Sequence, residues 1–197
     1  MHGFPRVAAY LAQLPQGLDS YPECQVQGGV VRTMRTDIDV RVDPTGLPAP
    51  VAALFLQPDA MPEWLPEVHA CAMTLAIAEA LGSDEAFLAH DKAAQHRFYA
   101  SVAFRVLTAF VPVQTLLNVS APRWSALHRG TRLTITTLGS NEAAARIDFP
   151  AQLWPPVIGK MIANNFQAGL LTAQTKAVSV SLLDADATHF DFRAAWG

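Results

Sequence analysis

The stretch HRGTRLTITTLGSNEAAARIDF, residues 128–149, decides the fold, because the spacing of apolar residues changes at Gly130. Before Gly130 the apolar residues recur at intervals of three and four, which is typical of helices. After it they alternate with polar residues, as at Leu133 and Ile135, and the short polar segment GSNE leads into AAARIDF. Alternation on both sides of such a turn predicts a β-hairpin. The chain therefore has a helical first half and a strand-rich second half.

The remainder of the second half continues the strand pattern after one helix. A helix is predicted over about 152–170, followed by the strand AVSVSLL (177–183), a turn at DADA and the strand THFDFRAAW (188–196). The order β-β-α-β-β predicts an antiparallel sheet with one covering helix, and the fold class is α+β. We expect a single domain over 1–197, with a helical part (1–129) and a β-β-α-β-β part (130–197).

The first half is predicted to be entirely helical. CQVQGGVVRTMRTDI (24–38) could be a helix weakened by two glycines or a strand around Val30, and the four-residue spacing of Val30, Met34 and Ile38 favours the helix. The helix predicted over 63–81 has no charged residue between Val68 and Ala78, so it should be central. Further helices are predicted over 5–14, 51–56, 83–110 and 113–119, and a last one that begins at Pro122 and ends at Gly130.

Composition excludes several classes of function. Of the 197 residues 51% are hydrophobic and 16% are charged, so the chain can bury a full core. The net charge of -3 and the lack of a basic run argue against a nucleic-acid partner. Residues 106–122 are uncharged but too few and too polar to cross a bilayer, and the N-terminus lacks a signal-peptide pattern. We therefore expect a cytoplasmic protein without a membrane span, and whether Cys24 and Cys71 are paired stays open.

Motifs that carry catalysis or bind metals are missing from the sequence. GxSxG, GxGxxG, the P-loop and HExxH do not occur, and His90 and His96, six residues apart, fall on different faces of one helix. His189, Asp191 and Arg193 alternate with apolar residues, which is typical of the solvent face of a strand. We expect no catalytic residues and no metal site, although an enzyme of hydrolytic or reductive type stays an alternative.

Five residues are candidates for lining a ligand pocket near the change from helix to strand. His69 lies in the apolar helix predicted over 63–81. If its imidazole is buried, each nitrogen needs a partner, which could be a ligand or a backbone carbonyl. Trp124 and His128 lie four residues apart and share one face of the predicted helix, where Trp124 would anchor the helix and His128 would end it. The full set of predicted ligand-binding residues is His69, Met73, Tyr99, Trp124 and His128.

Three stretches together resemble a known set of bacterial sequences. They are LPQGLDSYPECQVQGGVVR (14–32), LLNVSAPRWSALHRGTRLTI (116–135) and VSVSLLDADATHFDFRAAW (178–196). They resemble an uncharacterised bacterial domain family that forms a large paralogous set in myxobacteria. That family has no established chemistry, so the resemblance implies a fold and no reaction.

The β-β-α-β-β half is similar in plan to two better-known groups, the haem-nitric-oxide-binding domains and the 4-vinyl-reductase-type (4VR) domains. Both place a small ligand between helices and a sheet. The haem-nitric-oxide-binding domains carry the signature Tyr-x-Ser-x-Arg, which grips the haem propionates, with an axial histidine upstream. Here the nearest match begins at Tyr99 and Ser101, but the arginine, Arg105, comes two residues late, and His69 lies thirty residues before Tyr99. The cofactor is therefore unknown, and haem is not expected.

These observations predict a non-enzymatic protein that binds a small apolar ligand and acts in sensing or regulation. The alternative is a scaffold that forms a homodimer, because the predicted helix over 152–170 contains IGKMIANNFQAGLL, which is apolar for an exposed helix.

Overall fold

A computed structural model describes residues 3–37, 40–100, 111–173 and 177–197. The described helices and strands form an α+β fold, as the sequence predicts. The helices are α1 (Pro5–Gln13), α2 (Gly28–Asp37), α3 (Ala49–Leu56), α4 (Glu67–Ala80), α5 (Asp84–Ala100), α6 (Val113–Leu127) and α7 (Pro156–Leu171). The strands are β1 (Gln25–Gln27), β2 (Trp64–Pro66), β3 (His128–Arg129), β4 (Arg132–Gly139), β5 (Glu142–Asp148), β6 (Val178–Ala185) and β7 (His189–Trp196).

The second half folds into the predicted β-β-α-β-β unit. Its four strands form an antiparallel sheet in the order β4-β5-β7-β6, and α7 packs against β6. Alternation along β7 buries Phe190 and Phe192 beneath α7 and turns the residues between them outward. Gly159 lets α7 approach the sheet closely, because a Cβ there would lie 3.1 Å from the ring of Phe190.

The first half contains a small sheet that the sequence did not predict. Strands β1, β2 and β3 form an antiparallel sheet in the order β2-β1-β3, with Val26 opposite both Leu65 and His128. The helix favoured over 24–38 is therefore wrong at its start, and the helix predicted over 63–81 begins only at Glu67. Strands of two or three residues are too short to show alternation, and they depend on partners distant in sequence.

Gly28 shows why β1 gives way to α2 at this point. A Cβ at Gly28 would lie 2.0 Å from the backbone oxygen of Pro62, and the Gly28 N–H donates a 2.8 Å hydrogen bond to the Glu63 carbonyl. Only glycine allows this approach, because any side chain would collide with backbone.

Helix α6 corrects a second prediction. Pro122 lies inside one continuous helix, so it neither ends a helix over 113–119 nor begins a new one. A proline inside a helix lacks the N–H for the carbonyl four residues earlier, and buried Leu117 and Trp124 on either side hold the helix in place. The helix ends before His128, which lies in β3 rather than in a last helical turn.

The core joins the helical half to the large sheet. Helix α4 lies at its centre, with every residue from Ala70 to Ala78 buried, as its lack of charge predicts. One apolar cluster includes Val7 of α1, Met73 of α4, Ile147 of β5 and Phe190 of β7. The two halves of the chain thus contribute side chains to one common core. Within the described ranges no helix has the length and apolarity that crossing a membrane requires.

Candidate functional site

The chain passes from α6 to the large sheet through a tight joint at residues 128–131. Gly130 has a φ of 72°, in the left-handed region that favours glycine. A Cβ at this position would lie 2.6 Å from the sulfur of Cys24 and 2.9 Å from the carbonyl oxygen of Glu23. The joint is therefore pressed against β1 and the residues before it, and this contact fixes the direction in which His128 points.

A buried carboxylate and an imidazole meet at this joint. Glu67 is the first residue of α4 and only 3% exposed, and its Oε1 accepts a 2.6 Å hydrogen bond from Nδ1 of His128. The Glu67 backbone N–H donates to the Cys24 carbonyl at 2.9 Å. A carboxylate at a helix N-terminus also interacts favourably with the helix dipole. In the part of the chain that the structure describes, no group hydrogen-bonds to Nε2 of His128.

Two tryptophans enclose this imidazole. Trp124 stacks on His128 with ring centroids 4.0 Å apart and planes at 12°, and Trp154 meets the same imidazole edge-on at 6.1 Å. The Trp124 Nε1–H donates to Oγ1 of Thr131 at 3.0 Å, so it is satisfied. We call Glu67, Trp124, His128 and Trp154 the joint site.

Trp154 differs from Trp124 in one respect. The residue is 3% exposed, and its Nε1–H is buried without a hydrogen-bond partner among the described residues. Leaving a buried donor unpaired costs about 1–3 kcal/mol, so such groups call for an explanation. A ligand or an ordered water with an acceptor atom would provide one.

The residues behind the joint site have no activated nucleophile. Burial, followed by the nearby charges of Glu23 and Glu67, raises the pKa of Cys24 to about 12. Burial and then the Glu67 charge raise the pKa of Cys71, and burial raises the pKa of Tyr10, whose hydroxyl donates to the Leu153 carbonyl at 2.8 Å. Both thiols thus stay protonated at neutral pH, and a protonated thiol is a poor nucleophile.

Of the five predicted ligand-binding residues, the structure brings Trp124 and His128 into direct contact. Met73 is fully buried in the core, six residues along α4 from Glu67 and therefore about 9 Å away along the helix. Tyr99 lies where α5 meets α7, with its hydroxyl donating to Oδ1 of Asn165 at 3.3 Å. These positions separate Met73 and Tyr99 from the joint site.

His69 lies on another face of α4, about 200° around the helix from Glu67. Burial lowers the pKa of His69, while the Asp19 charge and a hydrogen bond with the Leu18 backbone carbonyl oppose that shift. The imidazole is thus neutral at pH 7 with one nitrogen on a backbone carbonyl, one of the two partners that the sequence allowed. The remainder of the Tyr-x-Ser-x-Arg-like match, Ser101 to Arg105, lies outside the described residues.

Sequence reasoning missed Glu67 and Trp154. Glu67 carried a usable signal, because it is the carboxylate directly before the uncharged run of α4 and a charge at such a position needs a partner. Trp154 carried none, since nothing in the chain around it shows that its ring turns toward a histidine 26 residues earlier.

Neither a family model nor a curated protein matches this chain. Several solved structures match it in fold, and H-NOX domains, the haem-nitric-oxide-binding group, are among them. One is the Cs H-NOX carrying 4-cyano-L-phenylalanine, with a TM-score of 0.55, 11% identity, and coverage of 86% of this chain and 96% of that one. A mutant of T. Tengcongensis H-NOX has a TM-score of 0.56, 11% identity, and coverage of 86% and 97%. A third, from work on H-NOX activation, has a TM-score of 0.54, 12% identity, and coverage of 86% and 96%.

These comparisons confirm the likeness in plan to the haem-nitric-oxide-binding domains, while no family match supports the uncharacterised bacterial family. They also correct the expectation that haem is absent. A further neighbour, with a TM-score of 0.54 and 11% identity, is described for modulation of haem redox potential by porphyrin distortion. Only the missing Tyr-x-Ser-x-Arg signature spoke against haem, whereas the solved structures that share this fold include haem-binding domains.

Proposed function

We propose that this chain is a non-enzymatic domain that binds a small ligand at the joint site and acts in sensing or regulation. The observation that carries the proposal is the buried, unpartnered Nε1–H of Trp154, beside a histidine whose Nε2 is free of hydrogen bonds among the described residues. A donor and an acceptor next to each other on aromatic walls are typical of small-molecule sites. The likeness in fold to H-NOX domains supports the same class of function.

Each residue of the joint site has a distinct role in this proposal. Glu67 holds the proton on Nδ1 of His128, and this leaves the Nε2 lone pair to accept a hydrogen bond or to coordinate a metal. Trp154 donates to an acceptor atom of the ligand. Trp124 keeps the imidazole in place by stacking, with its own N–H already used by Thr131.

The donor set also fits haem. Haem iron is commonly held by a histidine, and ligating histidines usually donate their second ring N–H to a carboxylate or a carbonyl. His128 with Glu67 has the first arrangement, and His69 with the Leu18 carbonyl has the second. When bound, haem would supply an iron that takes a small gas molecule or exchanges an electron. Cofactor chemistry aside, Glu67 orients His128 and the Leu18 carbonyl orients His69, the two imidazoles that would be available to hold haem.

The two alternative hypotheses, an enzyme and a dimeric scaffold, have less support. Protonated thiols argue against an enzyme that uses cysteine as a nucleophile. The apolar character of α7, which favoured a dimeric scaffold, is explained by its packing, because Val157, Ile158, Ile162 and Ala163 are buried inside the fold. The homodimeric scaffold stays the alternative, whereas membership of the bacterial family, a cytoplasmic location and a single domain over 1–197 are further parts of the proposal.

The test is the absorption spectrum and native mass of the freshly purified full chain, followed by titration with haemin. We expect either a co-purified mass or saturable binding with a Soret band. His128→Ala and Trp154→Phe should weaken binding at least tenfold, whereas His90→Ala, at an exposed histidine of α5, should leave it unchanged. If only His69→Ala loses binding, the ligand binds on the other face of α4. A chain with no bound mass and no response to haemin would contradict the proposal.

A further inference from the structure

A second group of ligand-type side chains lies on the outer face of the large sheet, near the turn that joins β6 to β7. One ligand atom from each of Asp184, His189 and Asp191, two carboxylate oxygens and one imidazole nitrogen, all lie within 4.8 Å of one another. Nε2 of His189 is 3.6 Å from each of the two carboxylate oxygens. We call these three residues the hairpin cluster. The sequence assigned His189 and Asp191 to the solvent face of a strand and Asp184 to the turn at DADA, and none of them contributes to the joint site.

The strand register places two negative charges directly opposite each other. Asp184 of β6 pairs with Asp191 of β7, and His189 lies two residues before Asp191, on the same face of the sheet. Like charges in directly opposed cross-strand positions are destabilising. The register shifts between Leu182 and Asp184, and without this irregularity the two carboxylates would not face each other.

The imidazole of His189 is oriented from behind. Its Nδ1 lies 3.4 Å from Oγ1 of Thr188 and 3.6 Å from Oδ1 of Asp186, while Nε2 is turned toward the cluster. At 3.6 Å neither carboxylate oxygen is within good hydrogen-bond distance of Nε2. His189 is nevertheless largely enclosed, with its side chain 17% exposed. The ring is therefore held in position, although its Nε2 has no short contact of its own.

The two distances of 3.6 Å from Nε2 of His189 are close to the spacing of donor atoms around a metal ion. Ligands bonded at about 2.1 Å in a tetrahedral arrangement lie roughly 3.4 Å from one another. Imidazole nitrogen combined with carboxylate oxygen suits zinc and neighbouring transition metals, whereas magnesium and calcium prefer oxygen alone. A cation would also offset the repulsion between Asp184 and Asp191.

We propose that Asp184, His189 and Asp191 form a binding site for one divalent transition-metal ion of the zinc type, open to solvent in its remaining coordination positions. The sequence predicted no metal site, because the ligands are brought together by the strand register and not by a local spacing motif. The site lies on the sheet face opposite the core and is independent of ligand binding at the joint site.

Arg146 gives the proposal a directional consequence. Its guanidinium donates to Asp148 at 2.8 Å and to both oxygens of Asp191 at 3.2 and 3.4 Å, so it competes with a cation for Asp191. Removing this arginine should therefore strengthen metal binding. A structural role of the cluster alone would not produce that change.

The experiment is calorimetric titration of Zn²⁺ into the full chain after treatment with a chelator. We expect one ion per chain, at least tenfold weaker binding in His189→Ala and in Asp184→Asn, and tighter binding in Arg146→Gln. His90→Ala is the matched control for zinc on an exposed histidine, and it should bind as the wild type does. Circular dichroism and thermal unfolding check that each variant is folded.

Two results would overturn the proposal. One is the absence of saturable binding at submillimolar zinc. The other is binding that His189→Ala and Asp184→Asn leave unchanged, which would place an adventitious ion elsewhere on the surface. Asp184→Asn and Arg146→Gln both change exposed side chains, so both variants should fold. At least one folded variant is therefore available to test the proposal.

Discussion

Imidazole lies beside carboxylate both in the joint site and in the hairpin cluster, and the carboxylates of the two regions differ in burial and in their distance from the imidazole. In the joint site, Oε1 of the buried Glu67 carboxylate lies 2.6 Å from Nδ1 of His128. In the hairpin cluster, His189 lies 3.6 Å from Asp184 and from Asp191 at the surface. The same chemical groups therefore form a directly hydrogen-bonded pair in the joint site, which we call the closed pair. In the hairpin cluster they form a group without short contacts, which we call the open set.

The difference shows how burial decides what such a pair can do. A buried charge must be paired, because the cost of taking it out of water is several kcal/mol, and so Glu67 commits His128 to one orientation. At the surface water solvates Asp184, and no single partner is required. A closed pair orients one free nitrogen toward a ligand, whereas an open set leaves several donor atoms for a cation.

The largest expected effect comes from breaking the closed pair. Glu67→Ala takes the acceptor from the His128 N–H and leaves a cavity where the buried Glu67 side chain lay, which together should cost about 3–5 kcal/mol. Glu67→Gln keeps an acceptor oxygen and should cost less. Urea-induced unfolding measures both variants, with Glu142→Ala, at the exposed pair with Arg193, as the control that should change little. Equal losses at Glu67 and Glu142 would contradict the distinction between the two regions.

A substitution in the backbone of the joint should lower the stability nearly as much as loss of the Glu67–His128 hydrogen bond. Gly130→Ala places a Cβ 2.6 Å from the Cys24 sulfur at a positive φ, so we expect it to cost about 2–4 kcal/mol from strain and overpacking. Gly29→Ala is the matched control, because nothing lies within 4 Å of a Cβ there and alanine favours the helix. It should leave the free energy of unfolding unchanged or raise it. Thermal and urea unfolding measure both, and a Gly130→Ala protein as stable as the wild type would refute a tight joint.

The sequence predicted the parts of the fold that repeat along the chain. Alternation after Gly130 gave the β-β-α-β-β unit, and the uncharged run from Val68 to Ala78 gave the central helix. It missed β1, β2 and β3, because two or three residues carry no period and their partners are far apart in sequence. The prediction at Pro122 was wrong for a related reason. Proline usually ends or begins a helix, but here packing on both sides of Pro122 keeps the helix continuous.

The candidate site was predicted only where its members are close in sequence. Trp124 and His128 were found together because four residues separate them, although the last helical turn that was to carry His128 is a strand. His69, Met73 and Tyr99 were grouped with them by residue type, and the structure gives each different surroundings. Glu67 and Trp154 join the site only through tertiary contacts, which composition and spacing do not encode.

A second buried carboxylate, Asp91, sharpens the comparison through pH. Asp91 of α5 accepts hydrogen bonds from Asn164 and Gln95 but faces no cation in those contacts, and burial raises its pKa from 3.8 to about 6. Because the folded-state pKa lies above the unfolded one, this group's contribution to stability is present below about pH 4 and is lost as pH rises through 6.

Asp91→Asn removes this titration. The free energy of unfolding of Asp91→Asn minus that of the wild type should therefore increase between pH 4 and pH 7, by at most about 3 kcal/mol. Urea unfolding of both proteins at each pH measures the difference, in which groups common to both cancel. A difference that stays constant over this range would show that Asp91 does not titrate there.

The smallest effect separates the two tryptophans of the joint site. Trp124→Phe removes an N–H that donates to Thr131, whereas Trp154→Phe removes one that has no partner among the described residues. Both lose the same ring volume, so the hydrogen bond decides the difference, and Trp124→Phe should cost about 1 kcal/mol more without added ligand. Urea unfolding of the two variants measures this. If Trp154→Phe costs as much as Trp124→Phe, its indole N–H already has an acceptor, such as a resident ligand or a buried water, and the native mass of the wild type distinguishes these two.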